Sequence, residues 1–142
     1  AFLTLVLDAG KGAIAVLAAR AMLGEDAAQL AGFFAFLGHC YPVFLRFQGG
    51  KGVATFLGTL IVLAWPVGLA ACALWAVTAA LTRISSLSAL VAAALSPVAA
   101  ILLGQGVVGF LTICLAALIF ARHHENIRRL LAGTEPRIGR KT

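Results

Sequence analysis

Charge is scarce in this chain. Only 11% of its 142 residues are Asp, Glu, Lys or Arg, whereas a soluble domain uses about a quarter to clothe its surface. With 62% hydrophobic residues and a mean hydropathy of +1.04, that shortage excludes an ordinary soluble fold and implies a polytopic membrane protein. A crossing takes roughly 20 apolar residues, so the length holds about five to seven spans and no separate soluble domain. Cysteine is sparse too: Cys40, Cys72 and Cys114 lie far apart in or beside apolar segments, where the residue behaves as a small hydrophobe. Neither a disulfide, a metal site nor an organic cofactor is expected. The first residues lack the basic n-region of a signal peptide, and no internal repeat suggests the inverted halves of a transporter.

The few charges are placed unevenly. Eleven bases against five acids give a net charge of +6, and much of the excess lies in Arg128, Arg129, Arg137, Arg140 and Lys141. Apolar patterning predicts helices over 1–23, from 27 to about 36, from 53 to Trp65-Pro66, over 67–81, over 87–103 with a kink at Pro97, and over 107–121. This bundle of about six transmembrane helices alternates so that Arg46, Lys51, Arg83 and the basic tail share one side. Glu25 and Asp26, in a short turn, fall on the other. The positive-inside rule then places the C-terminus in the cytoplasm. Several stretches are short for a core of about 30 Å, so some helices are expected to be partial spans. Arg20 breaks the pattern and is expected to snorkel to the outer interface. Asp8 and Lys11, one helical turn apart in an apolar segment, are expected to neutralise each other. The tail's partner is expected to be membrane lipid, with anionic headgroups favoured over nucleic acid.

Two polar segments interrupt this apolar background. The first runs Gly38-His39-Cys40-Tyr41-Pro42 and on to Gln48-Gly49-Gly50-Lys51-Gly52. Glycines permit positive φ, turning successive N–H groups toward one point, and the following helix adds its positive end, so an anion with Lys51 as counter-charge fits there. A flexible interfacial turn with a snorkelling lysine fits the composition equally well. Walker A spacing is missing, and no strand precedes the glycines. His39, just before the proline, can take a proton from a hydroxyl or hydrogen-bond a phosphate, or be structural.

The second segment spans 122–135. If it continues the last helix, His123, Asn126 and Arg129 share a stripe, and Gly133 ends the helix. A solvated helix end with cations near its negative terminus is the plainer alternative. Arg83 with Ser85 and Ser86 can complete an anion pocket, or the serines can simply cap a helix. The histidines have no partners at zinc-ligand spacing.

Gly-His-x-x-Pro-x-Phe-Leu-x-Phe-x-Gly-Gly-Lys-Gly-Val-Ala-Thr at 38–55 and Arg-His-x-Glu-Asn-Ile-x-Arg-Leu-x-x-Gly-x-Glu at 122–135 closely resemble two signature motifs of the bacterial PlsY family. These are the acyl-phosphate-dependent glycerol-3-phosphate acyltransferases. Asp8-x-x-Lys11-Gly12 and Arg83-x-x-Ser86 resemble that family too, so the similarity covers essentially the whole chain. The resemblance implies transfer of a fatty acyl group from acyl phosphate to the sn-1 hydroxyl of glycerol 3-phosphate, giving lysophosphatidic acid and phosphate at the inner membrane. It implies His39 and Lys51 as catalytic residues, with Gly49, Gly50 and Gly52 on the acyl-phosphate side. His123, Asn126, Arg129 and Glu135 fall to glycerol 3-phosphate, with Ser86 as an addition.

No Ser-His-Asp or Cys-His arrangement calls for a covalent intermediate, so direct attack in a ternary complex is expected. No obligate protein partner is inferred. Two departures are plain: Gln48 stands where the family commonly has lysine, and the family's first motif, a loop between its first two of seven helices, has no counterpart. The chain is therefore read as one integral membrane acyltransferase domain, 1–142, lacking that helix and loop, and is expected to be poorly active alone. The competing class is a transporter or channel for an anionic solute, which also uses broken helices and buried charge pairs.

Overall fold

The computed structural model describes residues 2–140. Among them lie seven α-helices and no strand: α1 Phe2–Leu23, α2 Glu25–Cys40, α3 Val53–Leu63, α4 Trp65–Thr82, α5 Ser85–Leu102, α6 Gly109–Arg122 and α7 His124–Leu131. Six apolar helices therefore follow in the expected order. The first residue of the predicted opening helix, Ala1, and the basic residue Lys141 lie outside the described residues.

The helices close a ring in the order α1, α2, α6, α5, α4, α3, with α2 and α3 also touching across it. Phe36, Phe56, Leu60, Leu115 and Ile119 fill the centre. Association inside a bilayer depends on close backbone approach rather than on hydrophobic drive. Gly58 shows the device: a Cβ there would collide with the backbone of Ala9, so glycine lets α3 lie against α1.

Among the described residues α1, α2, α4 and α5 are each long and apolar enough to cross a membrane, α2 with the turn after it, and α6 reaches that length only together with α7 as a bent pair. The expected third span is an apolar helix of 11 residues, about 16 Å long at 1.5 Å per residue. Ala64 leaves the helical conformation and ends it, and α4 restarts at once with Pro66 in its first turn. Proline suits that place because its missing N–H is one the helix could not have bonded. Glu25 and Asp26 do not form a free turn; they are the first turn of α2, where carboxylates meet the positive end of the helix.

The last helix is not continuous through residue 131. It bends by 65° at His123, which separates α6 from the short and strongly amphipathic α7. α7 buries Asn126 and packs Ile127 and Leu130 against the core, and it leaves His124, Glu125 and Arg128 exposed.

Candidate functional site

The segment after α2 folds back on the helix it leaves. A 3-10 turn at Val43–Leu45 is followed by Arg46 and Phe47 in the left-handed region, with φ of 52° and 63°. This reversal brings Gly49 N–H onto Cys40 O and Gly50 N–H onto His39 O, both at 3.2 Å. Those two donors cap α2 and are not available to a ligand. Contrary to the sequence expectation, neither glycine has positive φ; only Gly52 does, at 77°. Gly49 and Gly50 are required for contact instead. A side chain at 49 would strike the His39 and Cys40 carbonyls, and one at 50 would strike the His39 ring. The donors left over are the N–H groups of Lys51, Gly52, Val53, Ala54 and Thr55, which have no backbone acceptor among the described residues. They open α3, so its positive end is the unfilled part of the segment.

Lys51 joins the two polar segments: its Nζ donates to Asn126 Oδ1 at 2.6 Å. Behind Asn126 stands Glu135, whose Oε1 accepts from Asn126 Nδ2 at 2.5 Å and from Ser86 Oγ at 2.6 Å. Its Oε2 accepts from Arg129 Nε at 2.7 Å. Burial alone would raise the Glu135 carboxyl, but hydrogen bonds from Ser86, Asn126 and Arg129, with the charge of Arg129, outweigh it and hold the pKa below the usual carboxylate value. Glu135 therefore orients Asn126 and Arg129. The chain carrying it is clamped to the start of α5, where Ile138 N–H donates to Arg83 O and the Arg83 guanidinium donates to Ile138 O.

His123 sits at the bend, 1% exposed. Its Nδ1 lies 2.7 Å from Ile119 O, and a carbonyl only accepts, so Nδ1 carries the proton and the lone pair of a neutral ring falls on Nε2. His39, in the last turn of α2, meets α1: Lys11 Nζ is 2.5 Å from its Nδ1 and 2.8 Å from Asp8 Oδ1.

Every predicted site residue therefore gathers at one end of the bundle, but the predicted single stripe over 123, 126 and 129 is broken by the bend at His123. Three residues were missed. Arg122 donates to the carbonyls of Gly49 at 2.8 Å and Gly50 at 3.2 Å and lies over the Tyr41 ring, fastening the glycine turn to α6. Its place at the head of the second motif was the signal. Asp8 and Lys11 do pair, as expected, yet the pair also reaches His39, which spacing along one helix could not reveal. Beside the first turn of α3, an apolar groove of about 460 Å³ runs between α1, α3 and α4, lined by Leu5, Val53, Ala54, Leu57, Cys72 and Trp75.

A family model described as glycerol-3-phosphate acyltransferase matches residues 1–133. The chain belongs to this family. A glycerol-3-phosphate acyltransferase of Jannaschia sp. (strain CCS1) is 71% identical over 140 residues, covering 99% of this chain and 69% of that protein. One from Cereibacter sphaeroides (strain ATCC 17025) is 70% identical over 141 residues, covering 99% of this chain and 67% of its own length. Crystal structures of PlsY, an integral membrane glycerol 3-phosphate acyltransferase, superpose with a TM-score of 0.91 at 39% identity in both the glycerol 3-phosphate and lysophosphatidic acid forms. Each comparison covers 97% of this chain, and 70% and 72% of those chains respectively. The protein is thus an integral membrane acyltransferase.

Proposed function

We propose that this chain transfers a fatty acyl group from acyl phosphate to the sn-1 hydroxyl of glycerol 3-phosphate, as a single domain of the bacterial inner membrane with its site facing the cytoplasm. The observation that carries the reading is the Lys51–Asn126 hydrogen bond. It unites a cationic turn with a polar helix beside an apolar groove, which suits one greasy and one soluble substrate, both phosphorylated. Placing the acyl chain along Leu57 and Trp75 brings its phosphate to the open N–H groups of α3 and to Lys51, both suited to anions. Arg129 and Asn126 then face glycerol 3-phosphate, and Glu135 keeps them aimed while Ser86 helps to hold the carboxylate.

The glycerol hydroxyl oxygen bonds to the acyl carbonyl carbon, the bond from that carbon to the phosphate oxygen breaks, and phosphate leaves with the electron pair. The hydroxyl proton passes to the departing phosphate or to a histidine. Positive groups already in place stabilise the charge as it forms, the type of contribution that dominates many acyl transfers. Arg46, Lys51, Arg83 and Arg128 lie toward the site end and Glu25 and Asp26 toward the other, in keeping with a cytoplasmic site.

The test is release of phosphate from acyl phosphate by the protein in lipid vesicles, with and without glycerol 3-phosphate, beside acyl-CoA and acyl-carrier-protein donors. Glycerol 3-phosphate-dependent release with acyl phosphate alone supports the reading. Use of a thioester in its place refutes the donor class, and movement of glycerol 3-phosphate across the vesicle without acylation would favour the transporter.

A further inference from the structure

We propose that Asp8 and Lys11 are positioning residues that hold His39 as an Nε2–H donor aimed at the glycine turn, so that it hydrogen-bonds an anionic ligand there instead of accepting its proton. Lys11 Nζ is 2.5 Å from His39 Nδ1. An ammonium donates and never accepts, so Nδ1 supplies the lone pair and the ring proton resides on Nε2. Asp8 keeps the ammonium in place at 2.8 Å, and the backbone carbonyl of Asp8 accepts from Thr55 Oγ1 at 2.9 Å, tying this part of α1 to the first turn of α3. The opposite end of the ring has no hydrogen-bond partner among the described residues, and it overlies Gly50 so closely that any Cβ would collide with Nε2. One other charged group faces this region: Arg122, which holds the Gly49 and Gly50 carbonyls.

The rival arrangement is a carboxylate–histidine pair, in which Asp8 accepts from Nδ1–H and leaves Nε2 as a base. Asp8 Oδ1 is 3.5 Å from Nδ1, farther than Lys11. The two carriers of charge thus compete for one nitrogen, and Lys11 has it. His123 makes the contrast complete, because its Nδ1 donates to a carbonyl and leaves the lone pair on Nε2. One histidine leaves a donor uncommitted and the other an acceptor.

This inference rests on the acyl-transfer reading only for the identity of the anion. Nitrogen NMR of histidine-labelled protein in lipid bilayers, above the imidazole titration range, tests it without turnover, with the His39 signals identified by their loss in His39→Gln. The wild type should show an unprotonated Nδ1 and a protonated Nε2. In Lys11→Met the abandoned Asp8 carboxylate should draw the proton to Nδ1; in Asp8→Ala/Lys11→Met it should return to Nε2. Lys11→Arg should keep the wild-type tautomer, and acyl transfer should fall roughly tenfold in Lys11→Met while Lys11→Arg retains most of it. A protonated Nδ1 in the wild type, or spectra indifferent to Lys11→Met, overturns the proposal. If the tautomers behave as stated and acyl phosphate is not consumed, the functional reading fails by itself.

Discussion

At the C-terminal end of α3 the carbonyls of Val62 and Leu63 both receive the Arg20 guanidinium, at 2.8 and 3.2 Å, and Glu25 holds that guanidinium from the other side at 2.5 and 3.1 Å. At the N-terminal end the N–H groups of Lys51 to Thr55 have no backbone acceptor among the described residues, and Lys51 and the His39 ring stand beside them. The same helix thus has one end closed by protein and one left open. Unpaired backbone inside a membrane is costly, so closing the far end lets an 11-residue helix stop part-way, and the open end is where the proposed reading puts the substrate phosphate. The closed end should govern stability and the open end chemistry.

Lys51→Met should break this division most severely. It removes the cation at the open end and frees Asn126, so acyl transfer should fall by about a hundredfold or more, the size seen when one preorganised donor is lost. The thermal midpoint of the purified protein should move little. A variant that keeps wild-type turnover would remove Lys51 from the site. Gly50→Ala comes next, because its Cβ meets the His39 ring. Overpacking of this kind costs about 1–3 kcal/mol, and the displaced ring should reduce turnover as well, seen by comparing activity per folded molecule with the unfolding midpoint.

The contrast between the two ends also marks where sequence reading stopped. The number and order of the apolar helices, the presence of partial spans among them and the meeting of His39, Lys51 and Asn126 at one end were legible, because hydropathy and charge placement act along the chain. Arg20 was not. Snorkelling is the default for a cation near a helix end, and its real partners, Val62 and Leu63, are carbonyls that become acceptors only because α3 stops early against α1. Arg122 eluded the same reasoning: its place at the head of the second motif marked it, but its bond to the carbonyls of Gly49 and Gly50 joins two segments far apart in sequence. Two of the three glycines were noticed for the wrong reason: Gly49 and Gly50 are set by collision with His39 and Cys40, a tertiary fact, while positive φ falls on Gly52 and, unforeseen, on Arg46 and Phe47. The bend at His123 was hidden because residues on both sides of it favour helix.

Arg20→Met sharpens the comparison from the closed end. Both carbonyls lose a charged donor and Glu25 loses its partner, so the protein should lose roughly 1–3 kcal/mol of stability, read as a lower unfolding midpoint in lipid. Turnover per folded molecule should stay near the wild-type value, because the lesion lies at the far end of α3. A large fall in KM-independent turnover without destabilisation would mean that the two ends are coupled and that the division drawn here is wrong.

The smallest effect belongs to Glu135, which touches the open end only through Asn126 and Arg129. Its folded pKa lies below the ordinary carboxylate value of 4.5, so the ionised cluster binds fewer protons than the unfolded chain does near that value. Stability from this source is therefore complete above about pH 4.5 and declines as the pH falls through the folded pKa. Glu135→Gln removes the titrating group, so its unfolding midpoint should be lower than wild type at neutral pH and should converge with it in acid. The amide can still accept from Ser86 or Asn126 with its oxygen but presents no charge to Arg129, which limits the neutral-pH loss to the charge-dependent part of the cluster. Parallel pH curves for the two proteins would show that Arg129 draws nothing from the carboxylate, and the aiming role given to Glu135 would then pass to the backbone clamp at Arg83 and Ile138.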